Sequence, residues 1–186
     1  MKSAVAWLGL FFISAVFLHA ADQPRVLTKV SPLPVALDRD FTFRKTKLYF
    51  LSEAPTRTSG PRVSSIVPSS RGATSQDTSI GFERQYRLHG AVTGLDQRQR
   101  FGDYFDFFWQ AKREANITMR LEYRQDKLHE HVQWQEISYP NARGHHKTEF
   151  RVVGDDYFDD GRVIAWRCLL IENGRIVAEN RSFAWE

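Results

Sequence analysis

The sequence predicts an all-β protein, an antiparallel β-sandwich preceded by a flexible N-terminal arm. Three observations carry that expectation. From Ile80 onward, apolar and polar residues alternate in segments of strand length. Gly, Pro and Asn-Gly signals separate those segments. No stretch beyond about two turns carries helical periodicity, 110–115 being the best helical candidate.

The chain begins with Lys2, an apolar run from Ala4 to Leu18, and then His19, Ala20 and Ala21. This is the layout of a secretory signal peptide, with a basic start, an apolar centre and a small-residue exit. The run is shorter than the roughly 20 apolar residues that cross a bilayer. Residues 1–20 are therefore read as a signal segment cut after Ala20, the alternative being an uncleaved N-terminal anchor. Either places the remainder in a secreted, periplasmic or other extracellular setting. No later segment is long and apolar enough to span a membrane, so no integral span is expected after cleavage.

Residues 21–79 form the arm. Pro24, Pro32 and Pro34 oppose regular helix. Residues 41–51 are rich in Phe, Thr, Tyr and Leu and suit a strand. Residues 52–79 are Ser/Thr/Pro-rich, and a structureless loop of that length is uncommon inside a compact domain. The folded domain is accordingly placed at 80–186. The net charge is +4, and its surplus lies in the arm, through residues such as Arg39, Arg44, Lys45, Lys47 and Arg57, while acids and bases nearly cancel after Ile80. That distribution argues against a nucleic-acid partner.

Within the domain, the first strand is expected over 80–93. The next, 104–110, sets Phe105, Phe107 and Trp109 on one face. Residues 116–124 follow, with Ile117, Met119, Leu121 and Tyr123 facing in and Thr118, Arg120, Glu122 and Arg124 facing out. Strands at 130–139 and 145–154 flank a turn at Pro140–Gly144. An acidic loop, 155–161, precedes the last two strands, 162–172 and 175–185. Asn173-Gly174 between them is the preferred two-residue type I′ hairpin turn. It pairs Glu172 with Arg175, Ile171 with Ile176, Leu170 with Val177 and Trp166 with Arg181. About seven short strands joined in this way resemble, in architecture alone, the immunoglobulin and fibronectin III sandwiches. The cystine pair and tyrosine corner of those families are missing. The single cysteine, Cys168, lies within an apolar strand and reads as a buried, inert thiol.

Candidate chemistry is sparse. Asp155, Asp156, Asp159 and Asp160 concentrate four carboxylates near a glycine, a donor set that suits weak extracellular Ca²⁺; a solvated loop whose acids keep the sheet end soluble is the favoured, plainer reading. No other cofactor is implied. His129 and His131 share a strand face, and His145 and His146 begin the next strand, but a hairpin at 140–143 sets the two pairs at opposite ends. No nucleophile elbow or phosphate loop occurs, and Glu114 with Glu122 is a carboxylate pair without a visible cleft. Trp134, Tyr139 and Trp185 are candidate ligand-binding aromatics of the kind that stack on sugar rings; the plainer reading sends Trp134 and Val132 into the core. Two glycosylation sequons, at Asn116 and Asn180, are present. Together these features predict an exported, non-catalytic module for binding or structural interaction in the cell envelope or extracellular space, with a protein or glycan as partner. The alternatives are a carbohydrate-binding module and a small secreted hydrolase or inhibitor.

Overall fold

The computed structural model describes residues 25–26, 33–53 and 75–185. The predicted signal segment and most of the 52–79 linker lie outside them. The fold is all-β, one antiparallel, curled sheet with few helices. In chain order the elements are β1 (Arg25–Val26), β2 (Phe41–Leu51), α1 (Ser75–Leu88), α2 (Gly94–Arg98), β3 (Gly102–Gln125), a 3-10 turn (Asp126–Leu128), β4 (Val132–Val153), α3 (Asp155–Asp160), β5 (Val163–Glu172) and β6 (Arg175–Arg181). Among the described residues no helix is long and apolar enough to cross a membrane.

Two long strands organise everything. β3 and β4 pair from Gly102↔Val153 to Arg124↔Val132. On the other edge of β3, β2 pairs with its first half and β5 with its second. β6 continues beyond β5, and β1 touches β4 at Trp134. Midway, Lys112, Arg113 and Glu114 stand opposite Arg143 alone, and the register shifts again after Ala115. Extra residues on one strand bend it and increase its local twist. The sheet therefore folds over on itself at this bulge, and the layers expected of a sandwich are two halves of one sheet. Phe105 and Phe107 of the first half meet Trp166 of the second edge-on, with ring centroids 6.0 and 5.5 Å apart. The core between the halves also buries Trp109, Ile117, Met119, Leu121, Tyr123, Cys168 and Leu170. An open groove of about 540 Å³ remains where β2 approaches β6, floored by Phe41 and Val177.

Arg113, on the bulge, ties the bend together. Its guanidinium donates to both oxygens of Glu172 at 2.6 Å and to Asp38 at 3.0 Å, and it lies over the Phe41 ring. At the start of β3, Gly102 has φ +144°, and a Cβ there would stand 2.1 Å from the Val152 carbonyl oxygen. Only glycine fits that contact.

Several expectations are corrected. Residues 80–93 are not a strand: α1 runs to Leu88 and a turn follows. The helix meets the sheet through two arginines, Arg84 over Phe101 and Arg87 over Tyr104, besides Leu88 at its end, so apolar periodicity marks its inner face poorly. The helical candidate at 110–115 is the β3 bulge. The turn at 140–144 does not reverse the chain, because β4 runs straight through it. Asn141 (φ 51°) and Gly144 (φ 87°) take left-handed conformations to bend β4 opposite the bulge. The acidic loop is the short helix α3. The last hairpin is as expected at its tip, with Glu172↔Arg175 and Ile171↔Ile176. An irregularity after Ile176 then pairs Leu170 with Ala178, and Arg167 rather than Trp166 with Arg181.

Candidate functional site

Strand alternation that buries Phe105 and Phe107 turns Tyr104, Asp106 and Phe108 to the outer face of the first half-sheet. Register sets Tyr49 and Arg151 beside Tyr104, and Lys47 and Glu149 beside Asp106. α1 lies across this face and lowers Arg87 onto it. The Arg87 side chain is only 6% exposed. Its guanidinium sits 4.0 Å from the Tyr104 ring centre and 4.9 Å from that of Tyr49. Its carboxylate neighbours are all long: Glu83 and Glu149 at 3.4 Å and Asp106 at 3.9 Å. Nε has no hydrogen-bond partner among the described residues.

Asp106 and Glu149 are shifted in opposite directions. Burial raises the Asp106 carboxyl above its ordinary range; the Lys147 ammonium, 3.0 Å away, opposes this and Glu149 reinforces it. Burial also acts on Glu149, but the 2.5 Å bond from Arg151 outweighs it and holds that carboxyl low. Burial likewise raises the Tyr104 phenol, whose hydroxyl donates to the Arg100 carbonyl at 2.6 Å.

Beside this network opens a cleft of about 460 Å³. Arg87, Arg100 and Arg151 line it with His89, Tyr86 and Tyr104, and Glu149 is the one acid in its wall. Arg100 Nη1 donates to the carbonyls of Arg87 (2.9 Å) and His89 (2.5 Å), closing the C-terminal end of α1. Among the described residues no carboxylate lies within ion-pair distance of Arg100. Tyr86 continues outward as a lip, stacked on Phe82 with 6.5 Å between centroids and an interplanar angle of 15°. Phe82 and Tyr86 are 66% and 67% exposed. Flat exposed aromatics beside forked cations can stack a ring and hold an oxyanion.

The residues singled out from sequence lie elsewhere and do not converge. Trp134 is half-buried on the outer face of the second half-sheet, with the Arg120 guanidinium 5.0 Å from its ring. The expectation that Trp134 and Val132 face the core is corrected: Gln133 and Gln135 are the buried residues there. Gln135 donates to the Arg151 carbonyl at 2.9 Å and Gln133 to Asp160 at 3.1 Å, so both inward amide nitrogens are engaged, while Gln133 Oε1 has no hydrogen-bond partner among the described residues. Tyr139 lies on the opposite, inner face, against Trp109, and its hydroxyl is 2.7 Å from Thr148 Oγ1. Trp185 is 8% exposed, with the guanidiniums of Arg124 and Arg167 over its ring at 4.9 and 5.1 Å. Asp155, Asp156, Asp159 and Asp160 belong to α3. Burial and the neighbouring Asp160 raise the Asp156 carboxyl. Among the described residues no three His, Cys, Asp or Glu side chains gather as a metal ion requires. His129, His131 and His145 are exposed, and His146 stacks on Trp109 at 4.4 Å. Cys168 is wholly buried, which pushes its thiol up and leaves it inert.

The network beside the cleft had one sequence signal. Asp106 interrupts an aromatic run, Tyr104-Phe105-Asp106-Phe107-Phe108, where a charge is expensive unless partnered. The partners, Arg87 and Glu149, are distant in sequence and gave none.

The chain matches no protein-family model and no curated protein. It is similar to one solved structure from Akkermansia muciniphila, at 13% identity and a TM-score of 0.39, over 86% of this chain and 71% of the other. That likeness is too slight to bear on fold or function.

Proposed function

We propose that this protein is an exported, non-catalytic binding module, its two half-sheets standing as the layers of a sandwich, that takes its ligand in the cleft beneath α1. The observation that carries the reading is Arg87. A cation removed from water normally finds close carboxylates. This one has only long contacts, two tyrosine rings beneath it and an open cleft beside it. The extracytoplasmic setting comes from the signal-like N-terminus.

A hydrolase reading has one observation in its favour, the Asp106–Glu149 pair. Asp106, however, is buried beneath Arg87 and Lys147 and is not among the residues lining the cleft, so the pair is poorly placed for a substrate. The carbohydrate-binding reading moves from Trp134 to the Phe82–Tyr86 lip.

Thermal-shift screening of the secreted protein against glycans and small metabolites tests the proposal. A ligand at 100 times its dissociation constant adds about 2.7 kcal/mol of stability. The expected result is a shift that Tyr86→Ala abolishes. A ligand whose shift survives Tyr86→Ala would remove the cleft from the argument. Recovery of the unprocessed chain from cytosol would remove the export.

A further inference from the structure

We propose that the cleft beneath α1 binds an acidic saccharide, its ring resting on Tyr86 and its carboxylate or sulfate held by Arg100 and Arg151. The inference rests on the cleft being the ligand site and adds the ligand's charge and kind.

Charge comes first. Three arginines line the cleft against one acid, Glu149. Glu149 is already bonded to Arg151, and the further acids of the network, Glu83 and Asp106, face Arg87 and Lys147. Arg100 has no carboxylate within ion-pair distance among the described residues, and Asp96 acts on it only at longer range. Arg100 Nη1 is fixed by two carbonyls, which orients the guanidinium without neutralising it. Arg151 is 64% exposed at its side chain and reaches the same opening. A fork held in place by neutral acceptors is prepared for an oxyanion, since little rotamer freedom remains to be lost.

The kind of ligand follows from what else is present. A simple inorganic anion would leave the exposed Phe82–Tyr86 stack unused and would be repelled by Glu149. A saccharide answers both. Its ring offers a flat apolar face to Tyr86, and its hydroxyls give the Glu149 carboxylate hydrogen-bond donors. The size of the cleft lies within the range of small-molecule sites.

Titration calorimetry on the secreted protein tests this with three probes: trigalacturonate, neutral galactotriose and a sulfated galactotriose. Trigalacturonate or the sulfated sugar is expected to bind at least tenfold tighter than the neutral one, and whichever leads identifies the acidic group. Affinity is expected to fall as salt rises from 50 to 200 mM. Arg100→Ala is expected to weaken binding about tenfold to a hundredfold, the loss of a charged hydrogen bond. Because Arg100 also closes α1, Arg151→Ala serves as the second variant. It is expected to weaken binding about tenfold with an unchanged circular dichroism spectrum. Equal binding of neutral and acidic sugars, with loss in Tyr86→Ala, overturns the acidic inference and leaves the cleft as a ligand site. Acidic binding untouched by Tyr86→Ala overturns both. Absence of binding by all three at millimolar concentration overturns the saccharide.

Discussion

The two half-sheets carry charge on their outer faces in opposite ways. In the second half the ladder is closed. Glu122, 2% exposed at its side chain, accepts from Arg167 at 2.6 Å, Arg120 donates to Glu136 at 2.6 Å, and Trp185 lies against Arg124 and Arg167. Each of these arginines and glutamates has a close partner or a ring against it: Arg120, Arg124 and Arg167 lie on an acid or a ring, and Glu122 and Glu136 on an arginine. Among the described residues of the first half, Arg87 meets three acids at 3.4 Å or beyond, Asp106 Oδ1 has no hydrogen-bond partner, and Arg100 has no acid within ion-pair distance. Closed networks rigidify, whereas partly satisfied ones mark places where something other than stability has set the residues. The contrast is why the ligand is sought beneath α1 and not on the Trp134 face.

The largest effect belongs to what the halves share. Phe107 is fully buried and touches Phe43, Phe150 and Trp166, residues of both halves. Phe107→Ala is expected to cost about 3–5 kcal/mol in urea unfolding. It should do so in one transition, because the halves have a single core. Two separated transitions would show that the halves fold independently and would break the comparison at its root.

Next come the two glutamates. Glu122→Gln removes the acid from a nearly buried pair and is expected to cost about 3 kcal/mol. Glu149→Gln acts on a half-buried acid in an already loose network and is expected to cost at most about 1 kcal/mol. Equal losses would mean that the first half is as tightly matched as the second.

Acid should separate the elements further. The bond from the Asp40 amide, then Arg113, holds Asp38 below its ordinary value of 3.8, and Arg113 holds Glu172 below 4.5. Carboxyls lowered in the folded state contribute stability that is complete above those ordinary values and is lost as pH falls through the folded ones. Burial raises Asp106, the opposite sign: its ionisation penalty is relieved as pH falls toward 3.8. The α1 face carries both signs, Asp106 raised and Glu149 held low by Arg151, so below about pH 4.5 the bend at Arg113 should loosen more than the α1 face. Amide exchange at pH 3.5 against pH 6 reads this directly. Earlier opening of the α1 face would reverse the assignment.

How much of this was legible follows from which forces leave a pattern. The inner stripe Ile117, Met119, Leu121 and Tyr123 is read from alternation and is buried as read, since burial imposes a period of two. The strand at 41–51 and the Asn173-Gly174 tip were likewise visible in composition and turn chemistry. α1 was not, because Leu88 alone packs into the apolar cluster and the cation–π contacts of Arg87 with Tyr49 and Tyr104 impose no apolar period. Gln133 and Gln135 inverted the reading at Trp134, because their amide nitrogens find acceptors at Asp160 and the Arg151 carbonyl inside the fold. The cleft depends on Arg87, Asp106 and Glu149 meeting across long sequence separations, which no local pattern encodes.

The smallest effect concerns the two places where the same turn chemistry has different outcomes. Gly174 (φ +73°) reverses the chain in the second half, and Gly144 (φ +87°) bends β4 opposite the bulge. Nothing lies within 4 Å of a Cβ added at either. The penalty for alanine is then conformational only, about 1 kcal/mol at each site, and thermal melting should show matched losses. Matched losses would mean that the bend is as relaxed as the hairpin, and that Asn and Gly mark positive φ without specifying reversal. A several-fold larger loss at Gly144 would show that the bend holds strain, with the curled sheet working against its own backbone where the halves meet.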